Sequence, residues 1–205
     1  MIMCECFREV IESRYSVRLF QDKPIPRSVV EEILRAGIRA PTAGGGEQWF
    51  FIVVEDEAKR RQLHKLLREA HLKYAIEVRR TPMPPEKIEK WSRKIDEGMY
   101  MAPLYIAAYI DLRTRQYKDE YLELEKLWAA QSLAAAVENM ILAAWNHGIG
   151  SVWLGVPLLM KEEFDKLLEP PQGCELQAII AMGYPVEQLK PKTRRRGLRE
   201  IVRWI

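Results

Sequence analysis

The stretch LWAAQSLAAAVENMILAAW, Leu127–Trp145, decides how this chain folds. Its only charged residue is Glu138, and alanine and leucine, both strong helix formers, fill many of its positions. We predict a helix over about 119–146, with Asp119 as its N-terminal cap. A helix that is apolar nearly all round must be covered on all sides. A sheet would cover one flank, and either a second subunit or the chain's own helices would cover the other; the sequence leaves both possibilities open.

Four largely apolar runs predict the strands of that sheet. They span 49–54, 104–110, 149–154 and 176–182, and they contain many aromatic and β-branched residues. Runs of this kind are typical of strands that are covered on both faces. Helical segments separate most of the runs, so we expect a single layered sheet in an α/β or α+β fold.

The rest of the chain contains two shorter helices and one irregular segment. Apolar spacing predicts the helices at about 6–13 and 28–39. Residues 74–98 break the layered pattern, because three prolines lie within Thr81–Pro85 and a charged segment follows. We interpret 74–98 as a surface excursion, either a lid or an extra helix. With 205 residues, the chain suits a single domain, 1–205, that carries this excursion.

The composition is that of a soluble globular protein and argues against several functional classes. Hydrophobic residues make up 48% and charged residues 30%, and the net charge of +3 is too small to indicate nucleic-acid binding. Three cysteines form no disulfide framework, and no Cys/His spacing indicates zinc, so we expect no metal. The N-terminus has no secretory signal pattern, and no run of about 18 apolar residues predicts a membrane span. We therefore expect a cytoplasmic protein.

The segment Arg14–Phe20, which we call the arginine segment, is a candidate anion site. If its backbone is extended, residues alternate between two faces. One face then holds Arg14, Ser16 and Arg18, and the other holds Tyr15, Val17 and Leu19. Guanidinium groups match phosphate oxygens in bidentate geometry, so the polar face fits a phosphate while the apolar face packs on a core. The alternative is a basic surface strand whose arginines contact only water.

A second pair of arginines lies in the basic C-terminal tail. Arg194 and Arg196 would share one face of an extended segment. Together with the arginine segment they would suit a phosphate monoester dianion. Trp204 and the neighbouring basic residues also fit a nucleic-acid backbone, but no sequence signature of a nucleic-acid-binding fold accompanies them.

Glycines mark two further candidate positions. Gly44, Gly45 and Gly46 follow a predicted helix and precede a predicted strand, the reverse of the order in a dinucleotide-binding fold. They would instead let the backbone approach a flat ligand, as would Gly155 at the end of the third run. The alternative is a flexible connection in one case and a simple strand exit in the other. No Ser-His-Asp or Cys-His arrangement is recognisable, so a cofactor would have to supply the chemistry.

Taken together, these segments resemble the nitroreductase-like family of flavin mononucleotide (FMN) enzymes, and the resemblance covers nearly the whole chain. The motifs that carry it are Arg14-x-Ser16-x-Arg18, Ala40-Pro41-Thr42-Ala43-Gly44 before Trp49, the alanine-rich helix, Gly148-x-Gly150-Ser151-Val152-Trp153-Leu154-Gly155, Met182-Gly183-Tyr184-Pro185, and Lys192-x-Arg194-x-Arg196 followed by Leu198-x-Glu200-Ile201-Val202. Each motif is weak alone, but their order and spacing are specific. The resemblance implies a three-layer α+β fold, with a mostly antiparallel central sheet flanked by helices, in an intertwined homodimer.

The resemblance also implies a cofactor, a reaction and a set of binding residues. FMN would lie at the subunit interface, with the loop Pro41-Thr42-Ala43-Gly44, part of the glycine loop Pro41–Gly46, arriving from the partner. Hydride would pass by a ping-pong mechanism from NADH or NADPH through the flavin to a nitroaromatic, quinone or flavin acceptor, with no catalytic acid or base. The implied cofactor-binding residues are Arg14, Tyr15, Ser16, Arg18, Pro41, Thr42, Ala43, Gly44, Gly45, Leu154, Gly155, Arg194 and Arg196.

The glycine loop departs from the family pattern. Where family members commonly have Asn and then Gln-Pro before an aromatic residue, this chain has Gly45, Glu47 and Gln48 before Trp49. A side-chain hydrogen bond to the flavin ring is therefore missing at Gly45, and backbone amides would replace it. Alternative functions are reductive dehalogenation, cleavage of the flavin itself, and a non-catalytic flavin-binding or basic interaction module.

Overall fold

The computed structural model describes residues 5–187 and 195–205. Within this part of the chain, helices alternate irregularly with four strands. The helices are α1 (Glu5–Ser13), α2 (Arg27–Gly37), α3 (Glu57–Lys73), α4 (Pro85–Asp96), α5 (Leu122–Asn146), α6 (Lys161–Leu168) and α7 (Leu198–Ile201), and the strands are β1 (Trp49–Val54), β2 (Leu104–Asp111), β3 (Gly150–Leu154) and β4 (Cys174–Gly183).

The four strands form one antiparallel sheet in the order β1-β2-β4-β3. Each predicted apolar run coincides with a strand, and the predicted and observed ends of each strand differ by two residues at most. Every residue of β2 is buried, as expected for a strand covered on both faces. The prediction of full cover is wrong for β1, where only Val54 is fully buried in this chain. The reason is that β1 lies at an edge of the sheet.

Helices cover both faces of this sheet, so the α+β, three-layer architecture is confirmed. On one face, α5 and α2 pack against alternate side chains of β2 and β4, with Leu133, Val137 and Met140 in the centre. On the other face, α3 and α6 contribute Leu67 and Phe164. Burying a large apolar side chain of this kind stabilises the fold by roughly 1.5–3 kcal/mol.

The central helix begins later than predicted and is not covered on all sides. Asp119 lies in a short 3-10 turn before Leu122, and its carboxylate accepts a hydrogen bond from Arg115 Nη1 (2.7 Å) instead of capping α5. Along one side of α5, Leu124 and Leu127 are 38% and 53% exposed. The described part of the chain therefore leaves an apolar stripe of α5 open.

By length and composition alone, 119–146 is the one described stretch that resembles a membrane span. Its contacts give a different explanation, because α5 packs on α2 and on the sheet through buried side chains. Core helices pass the same compositional test. We therefore describe α5 as the core helix of this fold.

The excursion forms an extra helix. A π-helical turn at Tyr74–Val78 continues α3, and α4 then packs against α3. Arg68 on α3 donates to Asp96 Oδ1 (2.6 Å) and to Ser92 Oγ (2.8 Å), both on α4. These contacts tie the excursion to the body of the protein.

Candidate functional site

The arginine segment lies along the free edge of β3. Ser16 pairs with Ser151 in parallel register, and the Val17 N–H donates to the Ser151 carbonyl (2.9 Å). Val17 is buried, and a side chain at Gly150 would collide with it. Glycine at position 150 has no Cβ and therefore allows the arginine segment to approach β3 closely.

The predicted alternation holds as far as Arg18 and then fails. Tyr15 packs edge-on against Trp145, with ring centroids 5.1 Å apart, and Val17 is buried, while the Arg18 side chain is exposed. Leu19, predicted on the packing face, is 54% exposed in this chain. Beyond Val17 the segment leaves β3 and pairs with residues after β4, where the Val186 N–H donates to the Leu19 carbonyl (3.2 Å).

The two arginines differ in how much of their charge is balanced. The Arg14 guanidinium lies 3.7 Å from Glu138 on α5, and the Arg14 side chain is only 22% exposed. Arg18 donates from Nη1 to the Ser16 carbonyl (3.0 Å), and no carboxylate pairs with it among residues 5–187 and 195–205. Positive charge is therefore available at Arg18 for an anion.

The other end of β3 provides an open backbone. Leu154 is buried, whereas Gly155 is exposed and no atom lies where its side chain would be. Leu154 lies three positions after Ser151, which corresponds to about 10 Å along a strand. One strand edge thus connects the arginine segment with an open glycine.

The glycine loop, Pro41–Gly46, is attached to α5 and not to the arginine segment. The Ala43 N–H donates to Ser132 Oγ on α5 (3.1 Å), and Thr42 Oγ1 accepts from the Glu47 N–H (2.9 Å). Gly44 and Gly45 have φ values of 57° and 71°, in the left-handed region that favours glycine. Within residues 5–187 and 195–205, none of Arg14, Ser16 and Arg18 forms a side-chain hydrogen bond or an ion pair with this loop.

A buried carboxylate beneath the loop was not predicted. Glu125 is fully buried and accepts hydrogen bonds from Gln48 Nε2 (3.1 Å), the Gln116 N–H (2.7 Å) and Arg115 Nε (3.1 Å). Gln116 in turn lies against the loop glycines. Burial alone would raise the pKa of Glu125, but these hydrogen bonds outweigh it and the pKa is lowered. In the sequence, Glu125 sits in the mixed run Leu122–Leu127, which resembles a solvated helix start and gives no sign of burial.

Of the basic tail, the structure describes residues 195–205, which are all exposed. Arg196 is exposed, and Arg194 lies outside the described residues. Trp204 is 91% exposed, and α7 carries Leu198 at 72% exposure. Over the described ranges, no group of His, Cys, Asp or Glu has an arrangement that would hold a metal ion.

Comparison with known proteins identifies the class to which this fold and site belong. The model of the nitroreductase family matches residues 11–184, and the chain therefore belongs to the nitroreductase family. Its members are oxidoreductases.

Individual relatives agree with this placement. A protein of Archaeoglobus fulgidus is 30% identical over 190 residues, which cover 91% of this chain and 88% of the relative. It is named, provisionally, as an NADH dehydrogenase or NAD(P)H nitroreductase. The iodotyrosine deiodinase of Thermotoga neapolitana is 26% identical over 186 residues, covering 90% of each chain. The solved NADPH:FMN oxidoreductase of Vibrio harveyi has the same fold, with a TM-score of 0.72 at 18% identity over 97% of this chain and 77% of that one.

Proposed function

We propose that this protein is an FMN-dependent oxidoreductase of the NAD(P)H nitroreductase type. The observation that supports it most directly is the edge of β3, which pairs with the arginine segment at Ser151 and leaves open backbone at Gly155 at its other end. When bound, FMN would accept hydride from NADH or NADPH and pass it to a nitroaromatic, quinone or flavin acceptor in a ping-pong cycle. A cytoplasmic setting is part of this proposal.

The arginine segment would hold the phosphate end of the cofactor. Arg18 would donate charge-assisted hydrogen bonds to the phosphate, with Arg14 and Ser16 beside it on the polar face. Tyr15 would support the segment from behind through its contact with Trp145. Arg194 and Arg196 are proposed to join them from the tail.

The strand edge would hold the planar end. About 10 Å along β3 separates Ser151 from Leu154, a distance that suits an elongated ligand with its anionic group at one end. The exposed backbone at Gly155, directly after the buried Leu154, would face the ring, because no side chain at Gly155 stands in the way. The residues present therefore fit an FMN group.

A second copy of the chain would complete the site. We propose that five residues of the glycine loop approach the flavin from the partner subunit: Pro41, Thr42, Ala43, Gly44 and Gly45. Within this chain, the same loop is hydrogen-bonded to α5 through the Ala43 N–H. The open apolar stripe of α5 at Leu124 and Leu127 supports a homodimer, because large exposed apolar patches mark association surfaces. The exposed apolar tail at Leu198–Ile205 is a further surface for such a partner.

We expect the protein to be a dimer at micromolar concentration in sedimentation equilibrium. Leu127→Glu should shift it towards monomer and reduce flavin retention, because it places a charge in the proposed interface. Ile76→Glu is a matched control, since Ile76 is exposed to the same extent (54% against 53%) but lies on the excursion. A monomeric wild type, or equal effects of the two variants, would contradict the proposed interface.

The flavin chemistry has a direct spectroscopic test. Purified protein, or apoprotein reconstituted with FMN, should be yellow and should bleach when NADH or NADPH is added without oxygen. A protein that stays colourless after incubation with FMN would overturn the proposal. A yellow protein that neither nicotinamide reduces would point to another electron donor, as in the dehalogenating or flavin-cleaving alternatives, or to a binding role without turnover.

A further inference from the structure

The arginine segment has a further main-chain anchor, at Arg18 itself. The Tyr100 N–H donates to the Arg18 carbonyl at 2.8 Å. Tyr100 follows the excursion and has a φ of 71°, the left-handed conformation that residues with a side chain rarely adopt. Such a conformation persists only where the surroundings hold it in place.

Two groups hold Tyr100 in this conformation. The hydroxyl of Tyr105 on β2 donates to the Tyr100 carbonyl (2.7 Å) and accepts from the Ala102 N–H (3.2 Å), so it bridges both ends of the turn. The ring of Tyr100 stacks on the buried ring of His71, with centroids 4.5 Å apart. Tyr105 itself is fully buried.

We propose that Tyr105 is a positioning residue for the phosphate contact of Arg18; this inference rests on the proposed function. Its hydroxyl fixes the turn at 100–102, and the turn fixes the main chain of Arg18. Without the hydroxyl, the turn can relax from the left-handed conformation, and the Tyr100 N–H then moves away from Arg18. Tyr105 does not contact the cofactor site itself, so its effect should be confined to what Arg18 binds.

The chain offers a matched control for this inference. Tyr109 lies four residues further along β2, is equally buried, and also uses its hydroxyl, which donates to Asp165 Oδ1 (3.2 Å) on α6. Tyr105→Phe and Tyr109→Phe therefore remove the same atom from the same strand. Only the first removes a group connected to Arg18.

The experiment titrates wild-type and variant apoprotein with FMN and with riboflavin, which lacks the phosphate, and follows quenching of flavin fluorescence. We expect Tyr105→Phe to raise the Kd for FMN about three- to tenfold, the usual effect of losing one hydrogen bond. The Kd for riboflavin should not change, and Tyr109→Phe should leave the Kd of both flavins unchanged. In an Arg18→Ala background the effect of Tyr105→Phe should disappear, since the two residues act through one contact.

Equal weakening of FMN and riboflavin binding by Tyr105→Phe, or no weakening of either, would overturn the inference. Both Kd values are measured at a temperature below the melting transition of each variant, so unfolding of a variant does not mimic weaker binding. A wild-type protein that binds neither flavin would overturn the proposed function instead, and the inference with it.

Discussion

Replacing Glu125 with alanine is expected to lower the free energy of unfolding by about 2–3 kcal/mol. The change would leave the buried amide of Gln48 and the N–H of Gln116 without their acceptor. Arg115 would lose a partner as well, although its side chain is 29% exposed and water would compensate part of that loss. The loss would also release the chain beneath the glycine loop.

The pH dependence of stability should change in the same variant. Because the folded protein lowers the pKa of Glu125 below its usual value of 4.5, this residue stabilises the fold fully above that pH. Its contribution is lost as the pH falls through the lower, folded pKa. Urea unfolding at pH 7 and at acidic pH should therefore show a smaller acid-induced loss of stability for Glu125→Ala than for the wild type.

Glu123→Ala is the control on the same helix. The Glu123 side chain is 87% exposed and lies 3.7 Å from Lys126, and exposed pairs of this kind contribute about 1 kcal/mol at most. If the two variants unfold at the same urea concentration, Glu125 does not hold the loop as described.

Replacing Arg18 with alanine is expected to weaken FMN binding about tenfold or more, because a charge-assisted contact with the phosphate is lost. The fold should remain intact, since the Arg18 side chain is exposed and, among residues 5–187 and 195–205, its one hydrogen bond is to the Ser16 carbonyl. The main-chain anchor to Tyr100 survives the substitution. Titration of apoprotein with FMN measures the effect, and circular dichroism checks the fold.

Arg35→Ala controls for the loss of one positive charge. Arg35 lies on α2, its side chain is 69% exposed, and its partner is Glu31 in the preceding turn (3.1 Å). Its removal should leave the Kd for FMN unchanged. An Arg18→Ala variant that retains FMN as well as Arg35→Ala does would show that the phosphate binds elsewhere.

Much of the fold could be predicted because it depends on local sequence. The runs that became β2 and β4 are long, and Gln177 is their one polar residue. A central strand that is buried on both faces shows no alternation of polar and apolar residues, so its sequence is easily recognised. The apolar composition of Leu127–Trp145 likewise indicated the core helix. The prediction for β1 was less successful, since its run has the same composition but its place at the sheet edge is decided by strand order.

The candidate site was predictable only in part. The spacing of Arg14, Ser16 and Arg18 shows in the sequence which side chains share a face, and the structure keeps all three at or near the surface. The exposure of Leu19 was missed because the segment leaves β3 to pair with residues after β4, and there Phe20, not Leu19, packs against the core. Glu125 was missed because its three donors come from segments up to 77 residues distant.

The sequence by itself determined the elements of this protein: the strands, the core helix, and the order of motifs that resembles the nitroreductase family. Those features follow from apolar periodicity and residue type, which act over a few neighbouring residues. Only the tertiary structure decided that Tyr105 supports the main chain of Arg18 through Tyr100, and that Glu125 lies beneath the glycine loop. Both depend on hydrogen bonds between groups that are brought together only after the sheet and helices have packed.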